Sequence, residues 1–298
     1  MLIPDALLRP KPAVAAVLAL TAGTLWSFGG ITVRLAPDSD SWQYLVWRSV
    51  GLLFAVEATA VLRGRSLLLP RFARDGLPGW VGAAGLSLAA IAFVYALKAT
   101  TIANAIFLAS ITPLLSLVLG RVILKEPLTR VSIIAIMLAG AGLLVMVGGD
   151  MGGGSLIGNA AALLSSVGFA AYSICVRIAP GRDFTPALAG TAAMTLVVCA
   201  AVTLASGRTL VPPAQDIAMA LLHGAVFIGV GVACFNLASP VVPAVGLVVL
   251  AQTEAVFSPV WGWLLLGETP ALTTLAGGAL ILTGVVMTAV AGLRPSAR

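Results

Sequence analysis

The pentapeptide VRLAP at Val33–Pro37 recurs with one change as VRIAP at Val176–Pro180, and nearly half the length of the chain separates the two copies. Each copy stands at the end of a long apolar run. When the sequence is shifted so that the two words coincide, more than this word aligns, because the block at Leu117–Thr129 then falls, within one position, on Pro259–Ala271. The chain therefore carries an internal duplication. The number of long apolar runs in each copy decides the fold.

The composition excludes a soluble protein. Hydrophobic residues make up 60% of the chain and charged residues only 9%, and the mean hydropathy is +1.08. A soluble domain carries about 25% charged residues, so this chain has too few to cover its surface in water. Runs of roughly 20 apolar residues cross a bilayer, and they must be helical because hydrocarbon offers the backbone no hydrogen-bond partners. We predict ten such helices, near 13–33, 42–62, 77–97, 101–123, 131–148, 156–176, 185–205, 217–237, 243–266 and 271–292.

Five predicted helices in each copy determine how the copies are oriented. Because five is odd, the second copy must be inserted upside down, so Arg34 and Arg177 are expected at opposite faces of the membrane. Inverted repeats are a transporter architecture, in which two similar halves open a midplane site to either side in turn. We predict an all-α integral membrane protein of two inverted five-helix repeats, residues 1–148 and 156–298, joined by an extracellular linker at 149–155.

The formal charge of +6 reflects membrane topology rather than a nucleic-acid partner. With a cytosolic N-terminus, only Arg34, Lys98 and Arg208 among the loop cations face outward, as the positive-inside rule requires. The cytosolic cations are Arg9, Lys11, Arg63, Arg65, Arg71, Arg74, Arg121, Lys125, Arg130, Arg177, Arg182, Arg294 and Arg298. We expect a multi-pass protein of the bacterial inner (plasma) membrane, with both termini cytosolic, in contact with the lipid bilayer. A chain that contains both halves can work as a monomer.

Three segments resemble a known transporter family. They are YLVWRSVGLLF at Tyr44–Phe54, SITPLLSLVLGRVILKEPLT at Ser110–Thr129, and its counterpart QTEAVFSPVWGWLLLGETPALT at Gln252–Thr273. Together with two five-helix halves they resemble the EamA type of the drug/metabolite transporter superfamily. The resemblance implies a ten-helix basket with a central cavity, and a function such as export of amino acids or related metabolites. Glu254-Ala255 stands where members commonly have Glu-Pro, so a helix break there is displaced or milder.

Charged residues inside the predicted helices are candidate site residues, because charge in a bilayer is costly and usually serves a partner or a wet cavity. Counting about 1.5 Å per residue places Arg48 and Glu254 at similar depths, so we expect them to approach one another directly or through water. Three roles stay open: a structural pair, substrate contact or gating by Arg48, and proton coupling through Glu254. Glu57 is interpreted as an interfacial carboxylate that reaches toward Arg63 and Arg65.

Prolines in corresponding helices of the two halves mark candidate hinges. Pro113 cannot donate a hydrogen bond to the carbonyl of Ala109, and the hydroxyls of Ser110 and Thr112 can serve freed backbone groups. Pro259 interrupts the ninth helix in the same way. Weakened segments in matching positions of two repeats point to a binding site or a hinge.

Other residues are candidates for the substrate cavity or for gating: Gln252, His223, Trp26, Tyr95 and Asn104. His223 is either a satisfied core histidine or a proton relay, and Trp26 either lines an apolar pocket or only packs. Glycine and alanine in GAAGLSLAA, LAGAGLL and LAGGAL, in the third, fifth and tenth helices, should let backbones pack closely. Cys175, Cys199 and Cys234 lack metal-binding spacing, so we expect no metal and no cofactor.

The small number of charged residues inside the predicted helices limits the classes of substrate that the protein could bind. A phosphorylated sugar or nucleotide-sugar needs several cavity cations, whereas Arg48 is the one cation well inside a predicted helix. A small apolar or zwitterionic solute fits better, which favours export of amino acids with hydrophobic or aromatic side chains. The alternatives are a channel, a lipid-handling protein, or a carrier of another metabolite such as a nucleotide-sugar. An intramembrane enzyme is not expected, since His223 lacks an HExxH context and the predicted helices hold no aspartate.

Overall fold

The computed structural model describes residues 10–148, 155–179, 183–238, 241–242, 250 and 252–291, and every regular element among them is helical. In chain order the helices are α1 (Pro12–Arg34), α2 (Ser41–Leu62), α3 (Leu77–Ala99), α4 (Ile102–Ile123), α5 (Arg130–Gly148), α6 (Leu156–Ile178), α7 (Thr185–Ala205), α8 (Ala214–Ala238), α9 (Thr253–Leu266) and α10 (Leu272–Ala291). A short helix, Leu68–Phe72, lies between α2 and α3. Three helices are not uniform: α1 breaks at Phe28, α4 breaks at Ser110–Ile111, and α8 contains a π-helix at His223–Val230.

Seven of these helices, α1 to α4 and α6 to α8, are long and apolar enough to cross a membrane. Within α5 and α10 the apolar stretches are shorter, Arg130–Met146 and Leu272–Thr288. The predicted helix at 243–266 is described only in part, because residues 243–249 and 251 lie outside the described residues. Of the predicted linker at 149–155, only Ser155 is described. Length and hydropathy therefore located seven of the predicted crossings.

Local sequence determines where several helices begin. Asp40 caps α2 through a capping box, in which its side chain accepts from the backbone N–H of Gln43 at 2.8 Å and the Gln43 side chain accepts from the Asp40 N–H at 3.2 Å. The hydroxyls of Thr101 and Ser155 cap α4 and α6 by accepting the backbone N–H groups of Asn104 and Gly158. Polar side chains thus satisfy N–H groups that a helix leaves unpaired at its start.

Left-handed backbone angles recur at matching positions of the two halves. Gly64 (φ 68°) follows α2, and Gly207 (φ 69°), which aligns with it in the second copy, follows α7. Lys125 (φ 58°) follows α4, and Gly267 (φ 69°), which aligns with Lys125, follows α9. A left-handed residue just beyond a helix is a common way to end it, and glycine adopts it without steric cost. Among the described residues, Lys125 is the one non-glycine with a positive φ.

Glycines allow helices of the bundle to touch at the backbone. A Cβ added to Gly85 of α3 would lie 2.7 Å from the carbonyl oxygen of Gly168 in α6. A Cβ added to Gly142 of α5 would lie 2.5 Å from the carbonyl oxygen of Gly277 in α10. Both distances are too short for a real side chain, so only glycine fits. The predicted close packing of the glycine- and alanine-rich helices is confirmed.

Candidate functional site

Arg48 is a buried cation in the middle of α2. Its side chain is 8% exposed, and its Nε atom has no hydrogen-bond partner within the described structure. Tyr44 of the same helix, Cys199 of α7 and His223 of α8 lie close enough to interact electrostatically with the guanidinium. Among the described residues, no carboxylate lies within 4.0 Å of it. The described part of the chain therefore provides this charge with no counterion.

His223 is held by a tyrosine. The hydroxyl of Tyr44 lies 2.9 Å from Nδ1 of His223, and both residues are buried. On the other side of the ring, a Cβ added to Gly29 would lie 3.0 Å from Nε2, so α1 also packs against it. His223 begins the π-helix of α8. Its surroundings are those of a buried histidine with one side-chain partner among the described residues, and its role as a proton relay stays a prediction.

Three aromatic rings stack where α1, α8 and α9 meet. The ring of Phe28 lies 5.3 Å from that of Phe227 and 5.2 Å from that of Trp261, and it is nearly parallel to both. The indole N–H of Trp261 donates to the hydroxyl of Ser27 at 2.9 Å, which fixes the stack beside the break in α1. The sequence did not predict this cluster, although Trp261 stands inside one of the family-like segments. Trp26 instead packs against Phe235, with ring centroids 5.6 Å apart.

Glu254 and Gln252 lie at the start of α9. Glu254 is in the first helical turn, and the carbonyl of Gln252 accepts the N–H of Ala255 at 3.0 Å. Both side chains are partly exposed. No ion pair within 4.0 Å joins Glu254 to Arg48, so the direct form of the expected approach is absent, and an approach through water stays a prediction. Counting residues along a helix gives depth but not the direction in which each side chain points.

The two prolines have different local structures. Pro113 stands just after the break in α4, and the hydroxyl of Thr112 donates to the carbonyl of Ala109 at 2.7 Å. Ser110 donates to the carbonyl of Phe107 at 2.7 Å. The predicted use of these hydroxyls is confirmed. In contrast, α9 runs without interruption through Pro259, which agrees with a milder effect in the second half.

The remaining candidates lie in different surroundings. Asn104 is buried and hydrogen-bonded to Thr274 of α10 at 2.7 Å. Lys98 donates to the carbonyls of Ala36 and Ser39 in the loop after α1. Tyr95 is 39% exposed. Asn104 and Lys98 thus bind separate partners, and neither is hydrogen-bonded to Tyr95.

Glu57 corrects one interpretation. Its two carboxylate oxygens accept the backbone N–H groups of Leu68 and Leu69, each at 2.7 Å. These groups open the short helix Leu68–Phe72, where unpaired N–H groups attract a carboxylate. Glu57 therefore caps this helix and makes no ion pair with Arg63 or Arg65. The sequence did not predict the short helix, so it offered no partner other than the arginines.

An apolar groove runs along the outer face of α2. It has a volume of about 470 Å³ and is lined by Val50, Leu53, Phe54, Glu57, Ala58, Val61 and Leu67. Phe54 is 72% exposed, so this groove faces outward from the bundle.

Within the described part of the chain, no group of three or more His, Cys, Asp or Glu side chains is placed to hold a metal ion.

The helical bundle, with charge buried among apolar helices, defines an integral membrane protein, and its sequence places it in a family. The EamA-like transporter family matches residues 13–148 and, a second time, residues 156–290. The chain therefore belongs to the EamA-like transporter family, as the three segments predicted, and is a multi-pass membrane transporter built from two EamA repeats. No match was found among curated protein sequences.

One similar solved structure bears only the description "Crystal structure of protein". It is 19% identical, covers 94% of this chain and 97% of its own, and superposes with a TM-score of 0.66. At this identity the likeness concerns the fold alone.

Proposed function

We propose that the protein is a secondary transporter that exports small metabolites, most suitably amino acids with hydrophobic or aromatic side chains, by alternating access. The observation that carries the substrate class is Arg48, a buried guanidinium to which the described residues offer neither a carboxylate nor a hydrogen bond on Nε. A buried charge without a partner is costly, and intramembrane charges usually mark a substrate or ion pathway. A substrate carboxylate supplies the missing acceptor, and two parallel hydrogen bonds to a guanidinium are a strong form of this contact.

The other end of an amino acid also has suitable partners. Glu254 forms no ion pair with any described residue, so its carboxylate is available to an ammonium group. Phe28, Phe227 and Trp261 offer a flat apolar surface at the junction of α1, α8 and α9. One cation, one anion and stacked rings match a zwitterion with an apolar side chain. Gln252, Trp26, Asn104, Tyr95 and His223 remain lower-ranking cavity or gating candidates.

Alternating access rests on two inverted repeats, 1–148 and 156–298, each proposed to contribute five helices. The contacts of α5 with α10 support this arrangement. Gly142 meets Gly277, and Ala135 meets Gly284, whose added Cβ would lie 2.7 Å from the Ala135 carbonyl. The duplication aligns Gly142 with Gly284 and Ala135 with Gly277, so the two contacts exchange when the halves are exchanged. Helices α5 and α10 also run antiparallel to each other, because the later residue of α5 contacts the earlier residue of α10. This is how a two-fold axis relates equivalent surfaces.

The packing of the other helices supports the same symmetry. Helices α2 and α7 occupy the same place in the two halves, and so do α4 and α9. Each of these helices packs against its counterpart. Three further contacts each have an equivalent when the halves are exchanged. The contact of α1 with α8 corresponds to that of α6 with α3, and the contact of α1 with α9 to that of α6 with α4. The contact of α2 with α8 corresponds to that of α7 with α3, and all six are present. We further propose that the protein works as a monomer in the bacterial inner membrane with both termini cytosolic, where the loop cations favour that orientation.

The proposal is tested by counterflow in proteoliposomes preloaded with a candidate substrate. The panel contains phenylalanine, tryptophan, threonine and methionine, with an uncharged sugar as control. We expect saturable uptake and counterflow of at least one hydrophobic amino acid and none of the sugar. Flux that rises linearly with concentration and shows no counterflow identifies a channel instead. If no amino acid moves or competes, the substrate proposal is wrong.

A further inference from the structure

The ion pairs among the described residues all join the first half of the chain to the second. They fall into two sets. The duplication relates all four residues of the first set but only the aspartates of the second, because Arg208 aligns with Arg65 rather than with Arg71. The first set is Arg34–Glu268 and Arg177–Glu126, and the second is Asp40–Arg208 and Asp183–Arg71. The aligned copies place Arg34 on Arg177, Asp40 on Asp183 and Glu126 on Glu268. A pair of this kind forms only when the two halves come together at its position.

Arg34 ties the end of α1 to the second half. Its Nε donates to Oε1 of Glu268 at 2.6 Å, and its Nη2 donates to the carbonyl of Thr100 at 2.7 Å. The other oxygen of Glu268 accepts the N–H of Ile102, the first residue of α4, at 3.0 Å. The pair thus fastens α1, the α3–α4 turn and the α9–α10 loop at one end of the bundle.

Arg177 repeats this arrangement with the halves exchanged. It lies at the end of α6 and binds Glu126, which follows α4, and its Nη1 donates to the carbonyl of Ser116 at 3.3 Å. Because Glu268 binds the first residue of α4 and Glu126 follows the last, α4 separates the two pairs. Its 22 residues, with the break at Ser110–Ile111, span at most about 33 Å at 1.5 Å per residue. The pairs therefore stand at opposite ends of the bundle.

The second set holds one helix pair at both ends. Asp40 caps α2 and binds Arg208, which follows α7, at 3.1 Å. Asp183 precedes α7, accepts the N–H of Thr185 and binds Arg71, which follows α2, at 2.9 Å. Both bonds connect α2 with α7, once at each end, so these two helices cannot separate at either end without losing one.

We propose that Arg34–Glu268 and Arg177–Glu126 are the two gates of the transport cycle, opened alternately, and that α2 with α7 is the scaffold that stays together. This inference rests on alternating access as the proposed function. Both gate pairs are formed in this structure, and the cavity lined by Ile102, Pro259, Gly262 and Glu268 measures about 10 Å³, room for one water at most. Partly exposed ion pairs contribute little stability, so one of them can break while the rest of the bundle persists.

Glycines beside the gates provide a matched pair of substitutions. A Cβ added to Gly120 would lie 2.8 Å from Nη1 of Arg177 and 2.9 Å from Oε2 of Glu126, so Gly120→Ala requires the ends of both gate side chains to shift. At the corresponding Gly262 the nearest atoms, on Ile102, are 3.5 Å or more away, an ordinary contact. Gly120→Ala should therefore weaken its gate while Gly262→Ala leaves the other intact.

The test measures the opening of each end without any substrate. In full-length protein lacking Cys175, Cys199 and Cys234, a reporter is introduced by Ser116→Cys or at the aligned position of the second half by Ser258→Cys. The labelling rate with a hydrophilic maleimide is measured in detergent. We expect Arg34→Gln to raise the rate at position 258 three- to tenfold and not at 116. Arg177→Gln and Gly120→Ala should do the reverse.

Controls separate gating from loss of structure. Arg71→Gln and Gly262→Ala should leave both rates unchanged within twofold, and the charge exchange Arg34→Glu with Glu268→Arg should restore the original rate. The proposal is overturned if both reporters react faster together, if neither responds, or if Arg71→Gln acts like Arg177→Gln. Opposite shifts without amino-acid counterflow would keep the gates and reject the substrate class.

Discussion

The hydroxyl of Tyr44 and Nδ1 of His223 are 2.9 Å apart, and this bond links α2 to α8 across 179 residues of sequence. This hydrogen bond lies beside Arg48, which is one helical turn from Tyr44 in α2. The buried cation and the buried polar pair are therefore neighbours. Helix α2 therefore has a structural partner next to its proposed binding group. The two roles can be separated by substitution.

Tyr44→Phe should destabilise the protein. The change leaves Nδ1 of His223 without its partner, and an unsatisfied buried polar group costs about 1–3 kcal/mol. Thermal unfolding in detergent should show a Tm lower by several degrees. Tyr95→Phe is the matched control, because Tyr95 is 39% exposed, and its Tm should match that of the unmodified protein. Equal Tm values for all three proteins would contradict the role of the bond.

Arg48→Met should separate stability from transport. Removal of an unpaired buried charge is expected to keep or raise the Tm, because the cost of its burial disappears. Loss of a charge-assisted hydrogen bond to a substrate carboxylate, about 1.5–3 kcal/mol, corresponds to a roughly 10- to 150-fold lower counterflow rate at low substrate. Arg63→Gln, at the end of the same helix, should leave transport unchanged. A lower Tm together with normal transport would make Arg48 structural.

Gly142→Ala should disrupt the contact of α5 with α10. The added methyl group would lie 2.5 Å from the Gly277 carbonyl, so the helices must move apart. Such overpacking typically costs about 1–3 kcal/mol. Gly140→Ala, in the same helix, meets no atom within 4 Å and should be neutral or stabilising. The comparison of the two Tm values tests the crossing, and similar losses at both positions would argue against it.

Lys125→Gly should stabilise the protein. Lys125 adopts a left-handed φ of 58°, and its counterpart Gly267 already has the residue that suits this conformation. A left-handed backbone costs a side-chain-bearing residue about 1–2 kcal/mol. The substitution should therefore raise the Tm, whereas Gly267→Lys should lower it. A fall in the Tm of the Lys125 variant would show that its side chain contributes more than its backbone costs.

Pro113→Ala should slow turnover if the break in α4 is a hinge. Alanine restores an N–H that can bond to the carbonyl of Ala109, now served by the hydroxyl of Thr112. Hydrogen exchange should show added protection around residues 110–114, together with a lower maximal counterflow rate. Pro259→Ala should have a smaller effect, since α9 is already continuous there. Faster or unchanged counterflow with added protection would reject the hinge.

The sequence predicted where the helices lie better than it predicted the contacts between them. Runs at 42–62 and 77–97 became Ser41–Leu62 and Leu77–Ala99, because length and hydropathy are local properties that a bilayer imposes on the chain. The π-helix at His223–Val230 had no comparable signal. Its residues are as apolar as those of other helices in the bundle.

The partners of charged residues required three dimensions. Arg34 and Glu268 are 234 residues apart, and no periodicity relates them. A signal did exist, since the duplication repeats Arg34 as Arg177 and Glu126 as Glu268, with opposite charges at helix ends in both halves. The direct contact of Arg48 with Glu254 was not found, because depth leaves the rotation of each helix undetermined. For Glu57 the partners were backbone N–H groups, which charge counting cannot find.

The ion pairs between the halves also bear on biosynthesis. A ribosome delivers Arg34, Asp40, Arg71 and Glu126 to the membrane long before their partners from Arg177 to Glu268 have been translated. The early half must wait in the bilayer with those charges hydrated or transiently bound elsewhere. Assembly of the finished protein is therefore a late event, because none of these four ion pairs can form until the second repeat has been translated.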